Sequence, residues 1–283
     1  KKDTGSREFR KFCRDNKYWL GEYCSFCSQR DGLEEDFYAW VQYHLDRQLS
    51  CVVAYAHSKG IYLKGDLPIG VSADSAEAFY RPQLFNLDSS AGAPPDFFSK
   101  DGQNWGFPTY NWTEMAKDDY AWWKARVRHA CMLYDLVRID HFRGFEAFWS
   151  IKNGDAAKNG AWHFAPGGEL FKKAYEALGE LPVIAGDLGS ITPGVRALLA
   201  KCGFCGMDVM QFYDGDPLYG YVPPKNKIVY TGTHDNRTLI GWCAERYPDE
   251  DTALAAEKLM RTATECGAQV VIIPLADLAG LDD

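Results

Sequence analysis

Short apolar runs alternate along the chain with longer stretches of helical period. Six runs read as strands: 61–66, 136–140, 182–187, 207–212, 228–233 and 270–274. The helical stretches are 37–59, 118–134, 194–201 and 249–266. In the first of these, Trp40, Val41, His44, Leu45, Gln48, Val52, Tyr55 and Ala56 recur at three- and four-residue spacings, an amphipathic stripe. Alternation of this kind predicts repeated β-α units on a parallel sheet, an α/β fold. Segment 86–112, rich in Gly, Pro, Asp and aromatics, is predicted to be a long loop; such loops are uncommon in compact domains without a functional reason.

Composition narrows the chemistry. The 283 residues carry 31 basic and 39 acidic side chains, a formal net charge of −8, which argues against a nucleic-acid partner. The longest apolar stretches, such as the one near Val270 to Leu275, are far too short to span a bilayer. Aromatics at 14%, nine of them Trp, suit either core packing or a platform for a neutral, flat-faced ligand. Nine cysteines spread thinly over a chain of this size point to reduced thiols in a cytoplasmic protein. The pairs Cys24–Cys27 and Cys202–Cys205 lack the nearby second pair or histidines of a zinc site, so no metal is expected. The chain starts at Lys1 and stops soon after a strand-like run, and is expected to be a piece of a longer protein.

Carboxylates recur at the strand ends. Asp66, Asp140, Asp187 and Asp277 each close or follow an apolar run, and Asp235 lies just past another. Any one of them could cap a helix or a turn. Together the five predict a shared acidic cleft at the carboxyl ends of parallel strands, where α/β barrels build their sites.

Five motifs carry a more specific signal: GIYLKGDLPIGV, GAPPDFFSKDGQNWGFPTYNW, VRIDHFRGFEAFW, VIAGDLGSITPGV and VYTGTHDN, in this order. They resemble those of the 4-α-glucanotransferases (amylomaltases or disproportionating enzymes) of the α-amylase clan. The resemblance runs from about Phe9 to Leu281. It implies a (β/α)8 TIM barrel, here incomplete, with strands three to eight. Residues 1–36 would then be part of a helical insertion on the N-terminal side and 37–283 the C-terminal portion of the catalytic barrel. It also implies cytoplasmic action on α-1,4-glucan (maltooligosaccharides, starch or glycogen-type chains) with no redox or nucleotide cofactor, and the charge and apolar runs above add the expectation of no membrane or nucleic-acid partner.

Residue by residue, the resemblance makes Asp140 the catalytic nucleophile, Arg138 the arginine that orients it, and Asp235 the transition-state stabiliser. His234 matches a sugar-hydroxyl ligand and Asp66 an acidic residue that orders the cleft. Gln103, Trp105, Tyr110 and Trp112 match sugar contacts or supports for them. The chemistry is consistent with these roles. Retaining glycosyl transfer uses one carboxylate to attack the anomeric carbon and a second carboxyl to protonate the departing oxygen. Residues two apart on a strand share a face, so Arg138 points with Asp140, and a neighbouring cation favours the charged form of a carboxylate. A buried structural ion pair is the alternative for Arg138 and Asp140, and a core histidine the alternative for His234.

One position departs from the pattern. The family reads AEDLG, with the Glu as general acid/base, where this chain reads Ala185-Gly186-Asp187-Leu188-Gly189. Gly186 cannot donate a proton, and Asp187 should point to the opposite face of the strand. A substitution that traps a ligand, a naturally inactive paralogue and a sequence error all account for it. The expected function is therefore retaining 4-α-glucan transfer through a covalent glycosyl-enzyme, impaired at Gly186. An inactive glucan-binding paralogue and an α-glucan hydrolase are the rivals.

Overall fold

The computed structural model describes residues 4–96, 99–189 and 191–282; Phe97, Phe98 and Ser190, which fall inside two of the motifs, lie outside them. The chain divides into two compact units, Lys1–Pro182 and Val183–Asp283.

The first unit opens with three helices, α1 (Arg7–Asp15), α2 (Leu20–Asp31) and α3 (Glu35–Ser58). The Ser6 hydroxyl caps α1 by accepting from the Phe9 amide at 3.0 Å, and Gly32, at φ 73°, ends α2 in the left-handed conformation glycine favours. Phe9, Phe12, Leu20, Cys24, Cys27, Tyr38 and Tyr43 are buried together, so the Cys24–Cys27 spacing serves helix packing. The unit continues with β1 (Lys64–Leu67), α4 (Ala76–Tyr80), β2 (Phe85–Ala93), β3 (Gln103–Tyr110), α5 (Trp112–Ala116) and α6 (Ala121–Leu133). It closes with β4 (Leu136–Ile139), β5 (Ala147–Lys152), β6 (Ala161–Phe164) and α7 (Gly167–Leu178). Strands β1 and β4 run parallel, with Asp66 opposite Arg138.

The segment expected to be a long loop is instead an antiparallel hairpin. Strands β2 and β3 pair with each other, and with β5 and β6 they form a four-stranded sheet in the order β3-β2-β5-β6. Register shifts between Asn86 and Ser90 and again between Ser90 and Gly92 break the two-residue alternation that would have revealed β2. Gly92 is required by the close approach of β3: a Cβ there would lie 2.0 Å from the Gln103 carbonyl oxygen.

The second unit contains β7 (Val183–Ala185), α8 (Pro193–Cys202), β8 (Gly206–Val209), α9 (Pro217–Gly220) and β9 (Lys227–Tyr230). After these come α10 (Leu239–Arg246), α11 (Thr252–Glu265), β10 (Val271–Ile272) and α12 (Leu275–Leu278). β8, β9 and β10 pair in parallel, and β7 bridges to β8 at Ile184 and Cys205. Val229, Leu239, Cys243, Leu259 and Ala263 form the centre of its core. All six expected strands and all four expected helices are present, each strand shorter than expected and three of them reaching one residue past the expected bounds at one end. The fold is mixed α/β, with parallel β-α alternation and an inserted antiparallel sheet. Among the described residues, no helix is long and apolar enough to cross a membrane.

Two of the five strand-end carboxylates do not belong to a cleft. Asp187 is 3% exposed; its Oδ1 accepts from the Met207 amide at 2.6 Å, and its Oδ2 pairs with Lys227 Nζ. Asp277 is equally buried and accepts from the Leu239 amide at 2.8 Å, at the start of α10, and from the Thr231 hydroxyl at 2.9 Å. Both oxygens of each are committed to holding strands and helix starts in place. Removing such an acceptor leaves a buried donor unsatisfied. Asp187→Ala should therefore cost about 2–4 kcal/mol of stability, because it strands both an amide and an ammonium. Urea unfolding measures this; a loss below about 0.5 kcal/mol, the range of a surface change, would contradict the assignment.

Candidate active site

The geometry in the first unit centres on one guanidinium. Arg138 lies in β4, opposite Asp66 in β1, and Asp140 follows two residues later on the same face. Its two terminal nitrogens divide between the carboxylates: one donates to Asp66 Oδ2 at 2.7 Å, the other to Asp140 Oδ1 at 2.7 Å. These are short, charge-assisted bonds. The arginine side chain is 10% exposed, whereas both carboxylates are 45% exposed. Burial of the guanidinium works against its charge, but the two carboxylates and their hydrogen bonds outweigh it and hold the Arg138 pKa above its ordinary value. The cation is thus buried and fixed while two acidic groups it orients remain open to solvent. A wholly buried structural ion pair would hide all three.

His141, which the sequence reading passed over, is the next residue. Its backbone is left-handed, at φ 45°, unusual for a residue with a side chain. Its ring meets Trp105 edge-on, 4.8 Å between centroids and 84° between planes. Burial, assisted by Arg143 and opposed by Asp140, pushes its pKa down to about 4. The positive φ beside Asp140 is the kind of signal that only coordinates reveal. Because the folded protein binds this proton less readily than the unfolded chain, acid favours unfolding. The melting temperature should fall as pH drops from about 6.5 towards about 4, and His141→Gln should flatten that part of the profile. An unchanged profile in the variant would show that other groups set it.

The aromatic residues expected at the sugar have different surroundings. The Trp105 indole nitrogen donates to Gln103 Oε1 at 3.0 Å, so this pair acts together near His141, with Gln103 exposed. Tyr110 is 8% exposed; its hydroxyl donates to the Ile69 carbonyl, and burial pushes its pKa up to about 12. Its ring lies 5.1 Å from that of Trp112. Of the roles the sequence left open for Tyr110, burial favours support over contact. Asp66 also lines a cavity of about 680 Å³ whose walls include Trp19, Trp122, Arg126 and Tyr134. That volume lies within the range of ligand pockets.

In the second unit, Gly186 follows directly on β7 and is buried, and the adjacent Asp187 is committed to Met207 and Lys227. Asp187 thus offers no replacement for an acid at 186. Beyond β9, the Thr233–Asn236 stretch is a self-bonded turn: Asn236 Oδ1 accepts from the Thr233 amide at 2.9 Å and its hydroxyl at 2.8 Å. Thr233 Oγ1 in turn accepts from the Asp235 amide at 3.3 Å. This turn leaves the His234 and Asp235 side chains 76% and 77% exposed, 3.5 Å apart. His234 is therefore not a core histidine.

Comparison with known proteins gives a consistent result. The profile of the family described as 4-alpha-glucanotransferase matches residues 27–283. A 4-alpha-glucanotransferase of Synechocystis sp. is 36% identical over 329 aligned positions, covering 97% of this chain and 65% of the relative. That of Thermus thermophilus is 43% identical over 235 positions, covering 78% of this chain and 47% of the relative. The chain thus spans between about half and two thirds of the length of these relatives. The solved structure described as amylomaltase from Streptococcus agalactiae in complex with acarbose superposes with a TM-score of 0.88 at 32% identity, over 99% of this chain and 67% of that one. With a profile match over most of its length and these relatives beside it, the chain belongs to the 4-α-glucanotransferase family.

Proposed function

We propose that this chain carries the catalytic residues of a retaining 4-α-glucanotransferase that moves α-1,4-glucan segments between maltodextrin or starch chains. The observation that carries the reading is the Arg138 bridge, a buried cation orienting two solvent-facing carboxylates. In the first step Asp140 attacks the anomeric carbon; a C–O bond forms to its carboxylate as the glycosidic C–O bond breaks. Asp235 and His234 hold the hydroxyls of the sugar and the charge of the oxocarbenium-like transition state. Asp66 shares Arg138 and keeps Asp140 directed at the sugar, while Trp105 and Gln103 offer a stacking face and an amide. The departing oxygen needs a proton, and Gly186 has none to give. The chain as it stands is therefore slow. The reaction so written proceeds through carboxylates and the side chains that orient them and the sugar, and needs no redox or nucleotide cofactor.

On this reading, residues 37–283 supply strands three to eight of a (β/α)8 barrel and residues 1–36 part of a helical insertion. An intracellular maltodextrin substrate goes with work in the cytoplasm. Gly186 itself favours one second reading, an inactive paralogue that binds α-glucan and no longer turns it over.

The test is incubation of the chain and of its Gly186→Glu variant with maltotriose, with products resolved by length. Glucose together with chains longer than maltotriose supports transfer. Glucose and maltose alone would make the protein a hydrolase. Binding without products from either protein would favour the inactive paralogue.

A further inference from the structure

We infer that a face of the four-stranded antiparallel sheet is a second saccharide-binding groove, formed where Asn86 and Asp88 of β2 meet Phe148, Ser150 and Lys152 of β5 and His163 of β6. Its occupant as an α-glucan rests on the function proposed above. Phe148, Ser150 and Lys152 are alternate residues of one strand and so share a face. Phe148 pairs across the sheet with His163, and these residues line a groove of about 450 Å³. It shares no residue with the Arg138, Asp66 and Asp140 cluster.

The lining specifies the ligand class. The Phe148 and His163 rings stack with centroids 5.6 Å apart and planes at 21°. Half-buried Phe148 stacks on the exposed imidazole, and the two rings line the groove as a flat plate. A pyranose presents one flat C–H face to such a plate and a rim of hydroxyls to its surroundings. Partners for hydroxyls are at hand. Asp88 and Lys152 are exposed, and Ser150 is half-buried. The Asn86 amide nitrogen donates to the Thr109 hydroxyl at 3.0 Å and the Tyr110 carbonyl at 3.1 Å, which fixes the amide and leaves its oxygen as an acceptor. One carboxylate and one ammonium balance, so the groove selects for neither sign of charge, and its polar walls suit a polyol better than an apolar molecule. A polymeric substrate held here gains effective concentration at a catalytic cleft of the same protein without any new contact there.

Titration calorimetry with maltoheptaose, on this chain and on the Asp88→Ala/His163→Ala double variant, tests the proposal. Both substituted residues are exposed, so the fold should tolerate the change. Two classes of site are expected in the unsubstituted chain, one displaced by acarbose and one not. The double variant should bind at the acarbose-resistant class about tenfold more weakly or lose it, as removal of a hydrogen-bonding carboxylate and a stacking ring implies. Independently, maltoheptaose should slow acetylation of Lys152 in the unsubstituted chain, read by mass spectrometry. A single class displaced by acarbose, with Lys152 acetylated at the same rate with and without sugar, overturns the groove and leaves the catalytic reading standing. No binding of maltoheptaose at any site overturns both.

Discussion

Asp140→Asn, introduced into a chain that carries Gly186→Glu, is expected to remove glucan transfer while leaving maltooligosaccharide binding measurable. The amide keeps the shape of the carboxylate and can still accept from Arg138, but it cannot form the covalent bond to the anomeric carbon. A nucleophile that acts as one member of a catalytic unit typically accounts for about 10⁴-fold or more of the rate, and its loss is not repaired by the other members. Transfer between maltotriose molecules within about tenfold of the parent would make another residue the nucleophile. Asp66→Asn is the informative companion. It leaves the nucleophile in place and removes one of two anions from the guanidinium, so it should lower the rate by less than Asp140→Asn.

The residues that build this arrangement were legible because parallel strands announce themselves. The runs 136–140 and 228–233 are apolar, β-branched and bounded by turns, and both contain strands with the motif carboxylate just beyond. The antiparallel sheet was not legible. In β2 the sequence FNLDSSAGA carries two register shifts, so its inward and outward positions do not alternate. All four residues of β6 are exposed, which leaves no apolar face for a pattern to mark. Sequence position also could not separate the carboxylates. Asp140 and Asp187 both end apolar runs, yet Asp140 faces solvent beside Arg138 while Asp187 is sealed against Met207 and Lys227. The difference lies in partners some 20 and 40 residues along the chain, which local pattern does not contain.

Fluoride as a leaving group should separate a disabled enzyme from a retired one. General acid–base assistance typically contributes about 10²–10⁴-fold, so the chain with Gly186 is expected to be slow on maltotriose by that order. Fluoride departs without a proton, so α-glucosyl fluoride passes the first step: the C–F bond breaks as the bond from Asp140 to the anomeric carbon forms. The second step still lacks a base to take the proton of an incoming hydroxyl. The glycosyl-enzyme should then persist, and mass spectrometry should find a hexose on the peptide that contains Asp140. Azide is small, needs no deprotonation and can use the room an absent glutamate leaves, so it should speed release and yield a glucosyl azide of retained configuration. Gly186→Glu in the full-length protein should restore both steps and bring back disproportionation of maltotriose. The adjacent Asp187 cannot blur this outcome, since both of its oxygens are held in the second unit by an amide and an ammonium. If the fluoride leaves no adduct and the glutamate restores no product, the loss extends beyond residue 186. The chain would then be a glucan-binding relative of the transferases, retaining Arg138 and its two carboxylates without their chemistry.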